Sequence, residues 1–553
     1  MFSLFNALNI SSNALTVNES AISVVSHNVA NMNTEGYSKQ KVNLATRNIS
    51  GSIGDNVEAQ IRANGGVMIA SVTRYNDAYL NSYYRDQLSM LNEYQEKLGN
   101  INDLAGIFDD LEGEGISGAL SAFYDAVNNL NEYPASSTAR VNFIESVKTL
   151  TATLNAKNSQ LEELGAKALG DGQNRDALEN SKIYNQYEVF NNSLSELAEI
   201  NKALAVTQTG TLEANNLLDK RDMILNDIAH FVDIVTEEKP NGSVDLYVGG
   251  TQMVKGAVVV GELEILTAAE YCKGQTPPID YPKDWVTDDG KPREAAVISI
   301  VNNSGSTREV VVSDANSIIN SGALGGMLHS ADLDADGMNI GVAQDTLNQI
   351  SSALASLFND LNTRENAYCI DPNDTGKLIE TDKNNLIFTG EIDENGNMVI
   401  NAGNIQINEQ LLTNDGCWKL ACAYFENPQN LDPPPGFDAR AVGNSQNVVA
   451  MLGTRNLKLD GVDGRPDLNG MTLEECYTGL LGKIAASGSN GKALVDTQQS
   501  VVDSVYNQIL SNNSVDLNEE LVDLVKYQTA YSAAAQVFNT CNTCLDTLMA
   551  LGG

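Results

Sequence analysis

The chain has 553 residues, and 72 acidic residues against 34 lysines and arginines give it a formal net charge of −38. A surface this acidic repels phosphate groups, so nucleic acid and anionic membrane surfaces are excluded as partners. The hydrophobic content of 42% is enough to build cores and excludes global disorder. No apolar run approaches the ~18 residues of a membrane span, which excludes membrane insertion. Aromatic residues make up only 6% of the chain, a composition typical of long helices with small residues at their contacts.

A seam of apolar residues spaced three and four apart predicts an N-terminal helix from residue 3 to about residue 33. Small side chains along this seam favour close contact with another helix. The helix is expected to stop in an asparagine-rich turn that contains Asn28, Asn31, Asn33 and Gly36. The seam consists of Ala7, Ile10, Ala14, Val17, Ala21 and Val24.

The middle of the chain alternates between helical and extended patterns. Glycines and β-branched residues predict a hairpin over 41–75, and a period of two predicts strands between 232 and 312, such as 243–248 after the turn at 240–242. The predicted helical stretches are 77–165, with breaks at 113–118 and at Pro134, then 174–231, with a break near Gly210, and finally 335–364.

The chain ends in two predicted helices, at 491–511 and from 517 to about 549, and Asp516 with Glu519 is a candidate cap of the last one. The last helix carries its own apolar stripe and matches the first helix in length, so the two ends most simply pair with each other. Its stripe consists of Leu521, Leu524, Gln528, Tyr531, Ala535, Phe538 and Leu545, with Asn542 and Met549.

These patterns predict a mainly α fold with β insertions, in three domains. Residues 1–40 and 512–553 form a coiled-coil-like pair of terminal helices. Residues 41–365 and 481–511 form a helical-bundle domain with β-hairpins, in which about 232–325 is rich in strands. Residues 366–480 are turn-rich and are predicted to form an inserted, mainly β domain.

Four sequence signals suggest chemistry, but each has a simpler structural interpretation. The GxGxxG match at 113–118 follows a helix and lies among acids, which favours a helix-breaking turn over a dinucleotide site. The DxDxDG run from Asp332 has Ala343 where a calcium loop needs a bidentate glutamate. Cys541 and Cys544 lie within a helix without further ligands, and His27 points away from the adjacent Ser26. We therefore expect no catalytic, cofactor or metal site, and no enzyme.

The terminal helices are too poor in large apolar side chains to stay ordered alone. The lost conformational entropy of ~30 ordered residues costs more free energy than the burial of such small side chains gains. Contacts with other subunits are therefore expected to order the ends, while the middle of the chain folds independently. The alternative is an ordinary hairpin of helices packed on the body.

Two motifs, one at each end, resemble the signatures of the axial proteins of the bacterial flagellum, which are the rod, hook and hook-associated proteins. The N-terminal motif is 26–40 (SHNVANMNTEGYSKQ), and the C-terminal motif comprises 515–520 (VDLNEE), Tyr527-Gln528 and 530–535. Residues 37–40, 217–222 (LLDKRD) and 322–328 (GALGGML) are similar to the hook-associated members. The resemblance covers about 1–360 and 490–553, and nothing is carried over to 366–480. The sequence departs from the pattern at Lys39, Cys541 and Cys544.

The resemblance implies a structural role at the junction between hook and filament, in a homo-oligomeric ring whose terminal helices line the tube. It implies that the apolar residues named above in the two terminal helices form the assembly interface, and that Asn28, Asn31, Asn33 and Gly36 shape the turn to the next domain. The implied partners are further copies of the chain, the hook protein, the second junction protein (hook-associated protein 3) and an export chaperone on the C-terminal helix. No cofactor is implied.

The resemblance also implies an extracellular location and type III export without a cleaved signal peptide, which fits an N-terminus that lacks a basic region and a cleavage site. A hook or distal-rod protein is the near alternative. Paired carboxylates have no distinctive spacing among 72 acids, so a secreted peptidoglycan hydrolase is the distant alternative.

Overall fold

The computed structural model describes residues 2–48, 64–109, 115–170, 174–274, 278, 296–302, 307–310, 319, 321–329, 337–392, 396–413, 415–431, 435–437, 441–461 and 466–552. Within these residues the fold is mainly α with small sheets, which confirms the predicted fold class. The helices are α1 (Phe2–Ala30), α2 (Ala78–Ile107), α3 (Gly115–Glu132), α4 (Ser137–Leu169), α5 (Arg175–Glu179), α6 (Lys182–Val206), α7 (Leu212–Phe231), α8 (Ala268–Gly274), α9 (Gly322–Leu328), α10 (Ile340–Thr363), α11 (Gln446–Gly453), α12 (Leu473–Asn513) and α13 (Leu517–Gly552).

The strands form antiparallel sheets of two to four members. The predicted hairpin is β1–β2, a four-stranded meander runs in the order β3-β4-β5-β6, and β7-β8-β9 form a second meander. The smaller sheets are β11-β10-β16, β12-β15, β13-β14 and β17-β18. The strands are β1 (Gln40–Asn48), β2 (Asn64–Arg74), β3 (Val235–Glu238), β4 (Val244–Val248), β5 (Thr251–Lys255), β6 (Val258–Val259), β7 (Gly261–Thr267), β8 (Ala296–Asn302), β9 (Thr307–Val310), β10 (Ala367–Asp371), β11 (Asp374–Glu380), β12 (Phe388–Thr389), β13 (Glu391–Ile392), β14 (Met398–Val399), β15 (Gln406–Ile407), β16 (Ala423–Tyr424), β17 (Leu459–Asp460) and β18 (Asp467–Met471).

Polar side chains fix where several helices begin. The Asp77 carboxylate accepts from the first amides of α2, Ser136 caps α4 two residues after Pro134, and Thr211 caps α7 after Gly210. Asp516 accepts from the amides of Asn518 and Glu519 at the start of α13, which confirms the predicted cap. These caps satisfy amides that have no partner inside the helix, so the chain breaks its helices close to where the sequence predicted.

One large core joins the helical body to the segment 366–480. Its buried side chains come from α2, α3, α4, α10 and α12, and also from this segment, where Phe388, Leu411, Val448 and Leu468 belong to the same cluster. The guanidinium of Arg140, which is only 1% exposed, donates to the carbonyls of Cys417 and Leu420. The segment is therefore packed into the helical body, and the division of the chain into three domains stays a prediction.

Buried asparagines on helices bind the backbone of the irregular segments. Asn359 of α10 donates to the carbonyl of Phe388 and accepts from the amides of Ile387 and Phe388. Asn201 of α6 makes the same two-way pairing with Val244, at the start of β4. An asparagine amide carries both a donor and an acceptor, so it can take the place of a neighbouring strand for one residue.

Helix α12 begins at Leu473, so the prediction that the helix starts at 491 was wrong. Four glycines, at 479, 482, 488 and 491, lie in the first half of this helix. Two of them lie against α2, since a Cβ added to Gly491 would come within 3.3 Å of Leu98 and one added to Gly488 within 3.5 Å of Ile101. The capping box formed by Thr472 and Glu475 is the signal that marks the true start.

Candidate functional site

The two terminal helices pack against each other, as the sequence predicted. On α1, Val17, Ala21 and Val24 are buried, and Ala7, Ile10 and Ala14 are half-buried. Ala21 and Val24 form a small core with Val42 and Val72 of the β1–β2 hairpin and with Tyr527 of α13. The C-terminal part of α1 is therefore packed between the hairpin and α13.

The predicted stripe on α13 divides into two faces. Leu524, Ala535, Phe538 and Leu545 are half-buried, whereas Leu521, Gln528 and Tyr531 are exposed. Leu521, Val522 and Val525 are 46%, 68% and 61% exposed, so one turn and a half of this helix presents large apolar side chains to solvent. Isolated exposed apolar residues are common on protein surfaces, but contiguous ones mark contact surfaces.

Charged side chains are sparse on the terminal helices. Helix α1 contains one acidic residue, Glu19, and no lysine or arginine. Helix α13 contains four acids and one lysine, Lys526. The acids on α13 are Glu519, Glu520, Asp523 and Asp546. Nearly all of the negative charge therefore lies on the body, and the helix pair can approach another copy without strong repulsion.

Asn28 lies at the centre of the contact between α1, β1 and α13. Its side chain donates to the carbonyl of Gln40 over 2.8 Å and to the Glu520 carboxylate over 3.0 Å. Its amide oxygen accepts from the Tyr37 hydroxyl at 2.7 Å and from the Gln40 amide at 3.0 Å. We call this contact, together with the ion pairs described next, the joint.

Lys39 ties the first strand to the base of α13. Its ammonium group lies 2.6 Å from Glu519 and 3.3 Å from Glu520, and its backbone amide donates to the carbonyl of Asn513. Burial lowers the pKa of Lys39, but hydrogen bonds to Glu519 and Glu520 outweigh this and raise the pKa above its usual value. Lys39, one of the three positions at which the sequence departs from the pattern it resembles, is thus a structural cation of the joint.

The second half of the joint is a cluster of ion pairs that links β2 to α7. Arg74 lies 2.8 Å from Asp219 and 2.5 Å from Asp222, and Asp222 also pairs with Arg85 and Arg221. Burial alone would raise the pKa of Asp222, but the charges of Arg74, Arg221 and Arg85 hold it below its usual range. Asp219 accepts from the amide of Ser38, and burial raises its pKa despite Arg74.

The turn between α1 and β1 requires a glycine. Gly36 has a φ of 74°, and a Cβ at this position would lie 2.5 Å from the sulfur of Met223. Asn31 donates from its side chain to the carbonyl of His27 and closes the helix, whereas Asn33 is exposed. Asn28 thus lies in the last turn of α1, and Asn31 and Gly36 lie in the turn that follows it, but the role of these residues in assembly stays a prediction.

Sequence reasoning did not predict that the acidic and basic residues of the joint pair with one another. Arg74 and Asp222 are 148 positions apart, so no local pattern predicts that they pair. From the sequence alone, the segment 217–222 stood out only for its resemblance. In the structure Asp219 and Asp222 of this segment form ion pairs with Arg74 and so link α7 to β2. Arg74, the last residue of β2, was the one charged residue of the hairpin whose position suggested a contact with another element.

The four motifs with a simpler structural interpretation do not form a catalytic or metal site in the described part of the chain. No group of three or more histidines, cysteines or acids there could hold a metal ion. Cys541 is half-buried and Cys544 is exposed. The run from Asp332 and the start of the GxGxxG match lie outside the described residues. None of the described helices is apolar over a length that would cross a bilayer.

Comparison with known families matches three segments of the chain. The flagellar hook-associated protein FlgK helical domain matches residues 101–369. The flagella basal body rod protein family matches residues 8–37, and the C-terminal family of the flagellar basal body rod FlgEFG proteins matches residues 507–551. The two short matches contain most of α1 with its turn, and the end of α12 with nearly all of α13, which are the elements that meet at the joint.

Curated relatives match over the full length. Flagellar hook-associated protein 1 of Bacillus subtilis (strain 168) is 23% identical and covers 100% of both chains. The protein of the same name from Salmonella typhimurium is 22% identical, over 98% of this chain and 99% of the relative. The structure of the flagellar hook junction protein FlgK from Burkholderia pseudomallei has the same fold, with a TM-score of 0.53 and 13% identity, over 77% of this chain and 99% of that chain.

These relatives are structural proteins, which confirms the prediction that the chain is not an enzyme and removes the support for a peptidoglycan hydrolase. The segments matched by the three families together cover more than half of the chain and include both of its ends. Over its full length the chain is similar to flagellar hook-associated proteins, and it is a structural component of the bacterial flagellum.

Proposed function

We propose that the chain forms the first layer of the junction between hook and filament, as a ring of copies that permits the filament to assemble. The observation that carries this proposal is the exposed apolar face of α13, formed by Leu521, Val522 and Val525, on a helix pair with little charge. Head-to-tail contacts between identical copies generate rings or helical arrays, which is the symmetry of a tube.

The partners follow from this position. Copies of the chain pack side by side through their terminal helices, the hook protein lies on one side of the ring, and hook-associated protein 3 lies on the other. An export chaperone covers the C-terminal helix before export, since its apolar side chains would otherwise associate too early. The chain leaves the cell through the flagellar type III channel without losing its N-terminus.

The test is to replace Leu521 with aspartate in a flagellated strain that lacks its own copy of the gene. Leu521 is 46% exposed, so the variant should fold and be exported, but a charge on the contact face should abolish filaments on completed hooks. Val141→Asp is the matched control, because Val141 is 45% exposed on α4 of the body, and it should support normal filaments. Filaments of normal length with Leu521→Asp would contradict the proposed interface.

The same strains distinguish the near alternative. If cells without the chain fail to complete the hook itself, the chain acts as a hook or distal-rod protein. If hooks are complete but bear no filaments, the junction role holds. Electron micrographs of the cells decide between these two results.

A further inference from the structure

Two buried cysteines, Cys369 and Cys422, meet at the end of a strand pair in the segment 366–480. Strand β10 pairs with β16 in antiparallel register, and Tyr368 is opposite Ala423. Continuing this register by one residue places Cys369 opposite Cys422, directly beyond the end of β16. Opposite residues point to the same face of a sheet, and here both side chains are buried, with exposures of 5% and 2%.

The hydrogen bonds of this strand pair set the spacing of the two cysteines. The amide of Phe425 donates to the carbonyl of Asn366 over 3.2 Å. Hydrogen-bonded and non-hydrogen-bonded pairs alternate along an antiparallel ladder, so Cys369 and Cys422 occupy a non-hydrogen-bonded pair. The Cα atoms of such pairs lie about 4.5 Å apart, within the ~4.4–6.8 Å that a disulfide spans. This backbone geometry suits a disulfide between the two residues.

A metal site and a reactive thiolate are the other uses of paired cysteines, and neither fits this pair. Among the residues that the structure describes, no group of three or more cysteines, histidines or acids could hold a metal ion, so the pair has no third ligand. Burial raises the pKa of Cys369 to about 11 and also raises the pKa of Cys422, even though the charge of Arg140 acts against both shifts. Thiols exchange only as thiolates, so both stay inert once the core has closed around them. Any oxidation must therefore take place while the chain folds.

We propose that Cys369 and Cys422 form an intramolecular disulfide while the exported chain folds outside the cell. The oxidant is a low-molecular-weight disulfide. One cysteine thiolate attacks it, which forms a mixed disulfide and releases one small thiolate, and the second cysteine thiolate then displaces the other small thiolate from the mixed disulfide. The two cysteines lose two electrons to the small disulfide, and their two protons end on the two small thiols that leave.

The disulfide would fasten a part of the chain that the helical body already holds. It closes a loop of about 50 residues, and such a closure stabilises a fold by restricting the unfolded chain. The loop contains the Cys417 and Leu420 carbonyls that accept from Arg140 of α4, and the Cys422 carbonyl accepts from the amide of Asn447 on α11. The inference rests on the proposed function for one step, the export of the chain from a cytoplasm that keeps thiols reduced.

Peptide mapping of isolated flagella tests the link in the assembled protein. The flagella are dissolved in urea that contains iodoacetamide and are digested without a reductant. We expect one pair of peptides joined through Cys369 and Cys422, which separates after reduction, together with alkylated Cys417. Alkylated Cys369 and Cys422, or a link from either of them to Cys417, would overturn the proposal.

Refolding of the purified full-length protein tests the same link without export or assembly. Protein refolded from urea with oxidised glutathione should contain the linked peptides and should unfold at a higher urea concentration than protein refolded with reduced glutathione. Tryptophan fluorescence reports this unfolding, because Trp418 lies in the closed loop. Cys422→Ala should lose the difference between the two conditions. Cys417→Ala is the matched control, since it removes another buried cysteine beside Arg140 and should retain the difference. An equal difference in both variants, or none in the unmodified chain, would contradict the disulfide.

The disulfide and the junction function can fail separately. If neither the flagella nor the refolded protein contains the link while Leu521→Asp abolishes filaments, the disulfide proposal is wrong and the junction function stands. If Leu521→Asp forms normal filaments, the proposed function fails, and the refolded protein still decides whether the two cysteines pair.

Discussion

At the scale of single residues, Asn28 determines whether the terminal helices stay attached to the body. It satisfies both backbone groups of Gln40 and also binds Glu520, a carboxylate that is only 2% exposed. A buried carboxylate that loses a hydrogen-bond donor still carries its cost of desolvation. Removing the Asn28 side chain should therefore cost more free energy than one hydrogen bond contributes.

We predict that Asn28→Ala weakens the joint by about 2–3 kcal/mol. Amide hydrogen exchange of residues 28–40 and 517–527 should become faster, whereas the core of the body should exchange as before. Asn33→Ala is the control, since Asn33 is exposed in the same turn. Unchanged exchange in the Asn28 variant would show that the joint does not depend on this side chain.

The ion pairs of the joint predict a dependence on pH. The pKa of Asp222 is lower in the folded state than the ~3.9 of an unfolded chain. Its contribution to stability is therefore complete above the unfolded pKa and is lost as the pH falls through the lower, folded pKa. Asp219 acts in the opposite sense, because its folded pKa is raised.

Urea unfolding between pH 6 and pH 2 should show a loss of stability below about pH 4, and this loss should be smaller in Asp222→Asn. The matched variant Asp103→Asn removes an exposed carboxylate of α2 and should retain the full pH dependence. An identical pH dependence in the Asp222 variant would contradict the role assigned to Asp222.

At the scale of elements, one face of α13 packs against α1, and the exposed face is the proposed contact with neighbouring copies. Phe538 is half-buried, whereas its neighbour Val537 is 52% exposed. We predict that Phe538→Asp destabilises the α1–α13 pair by about 2 kcal/mol, because a charge replaces a packed ring. Val537→Asp should leave the pair intact. Protease cleavage within α1 and α13 reports the difference, and equal cleavage of the two variants would mean that Phe538 does not pack as described.

Arg140 links helix α4 to the segment 366–480. Its guanidinium donates to the carbonyls of Pro134, Cys417 and Leu420 and lies over the Trp418 ring. Arg140→Met leaves three carbonyls without this donor, so we expect the body to lose about 2–3 kcal/mol in urea unfolding. Lys148→Met, at an exposed site on the same helix, should change stability by less than about 0.5 kcal/mol.

The sequence predicted those elements whose signals are local. The break at Pro134, the cap at Asp516 and the strand after the turn at 240–242 depend on neighbouring residues, and all three were found. The start of α12 was missed, and two of the glycines in this part of the helix, Gly488 and Gly491, lie against α2 in a contact that no local pattern reveals. The shared core of 366–480 and the pairing of Arg74 with Asp222 depend on contacts between distant segments, so neither could be predicted.

At the scale of the whole molecule, charge is divided between the ends and the body. The chain carries −38 in total, but α1 contains a single charged side chain apart from His27. Bodies of like charge repel one another, whereas the terminal helices can pack closely between copies. We therefore propose that the attraction that drives assembly lies at the ends of the chain, and that the joint fixes the position of these ends relative to the body.

We infer that the terminal helices obtain their lasting order from neighbouring copies. Limited proteolysis of the free protein and of isolated hook–filament junctions, with fragment masses, tests this claim directly. In the free protein we expect cleavage within 2–30 and 517–552 to precede cleavage of the body, which should remain as a resistant fragment, and in the junction we expect both ends to be protected. Ends that resist cleavage in the free protein as well as they do in the junction would overturn this inference, since α1 and α13 would then be a self-sufficient pair.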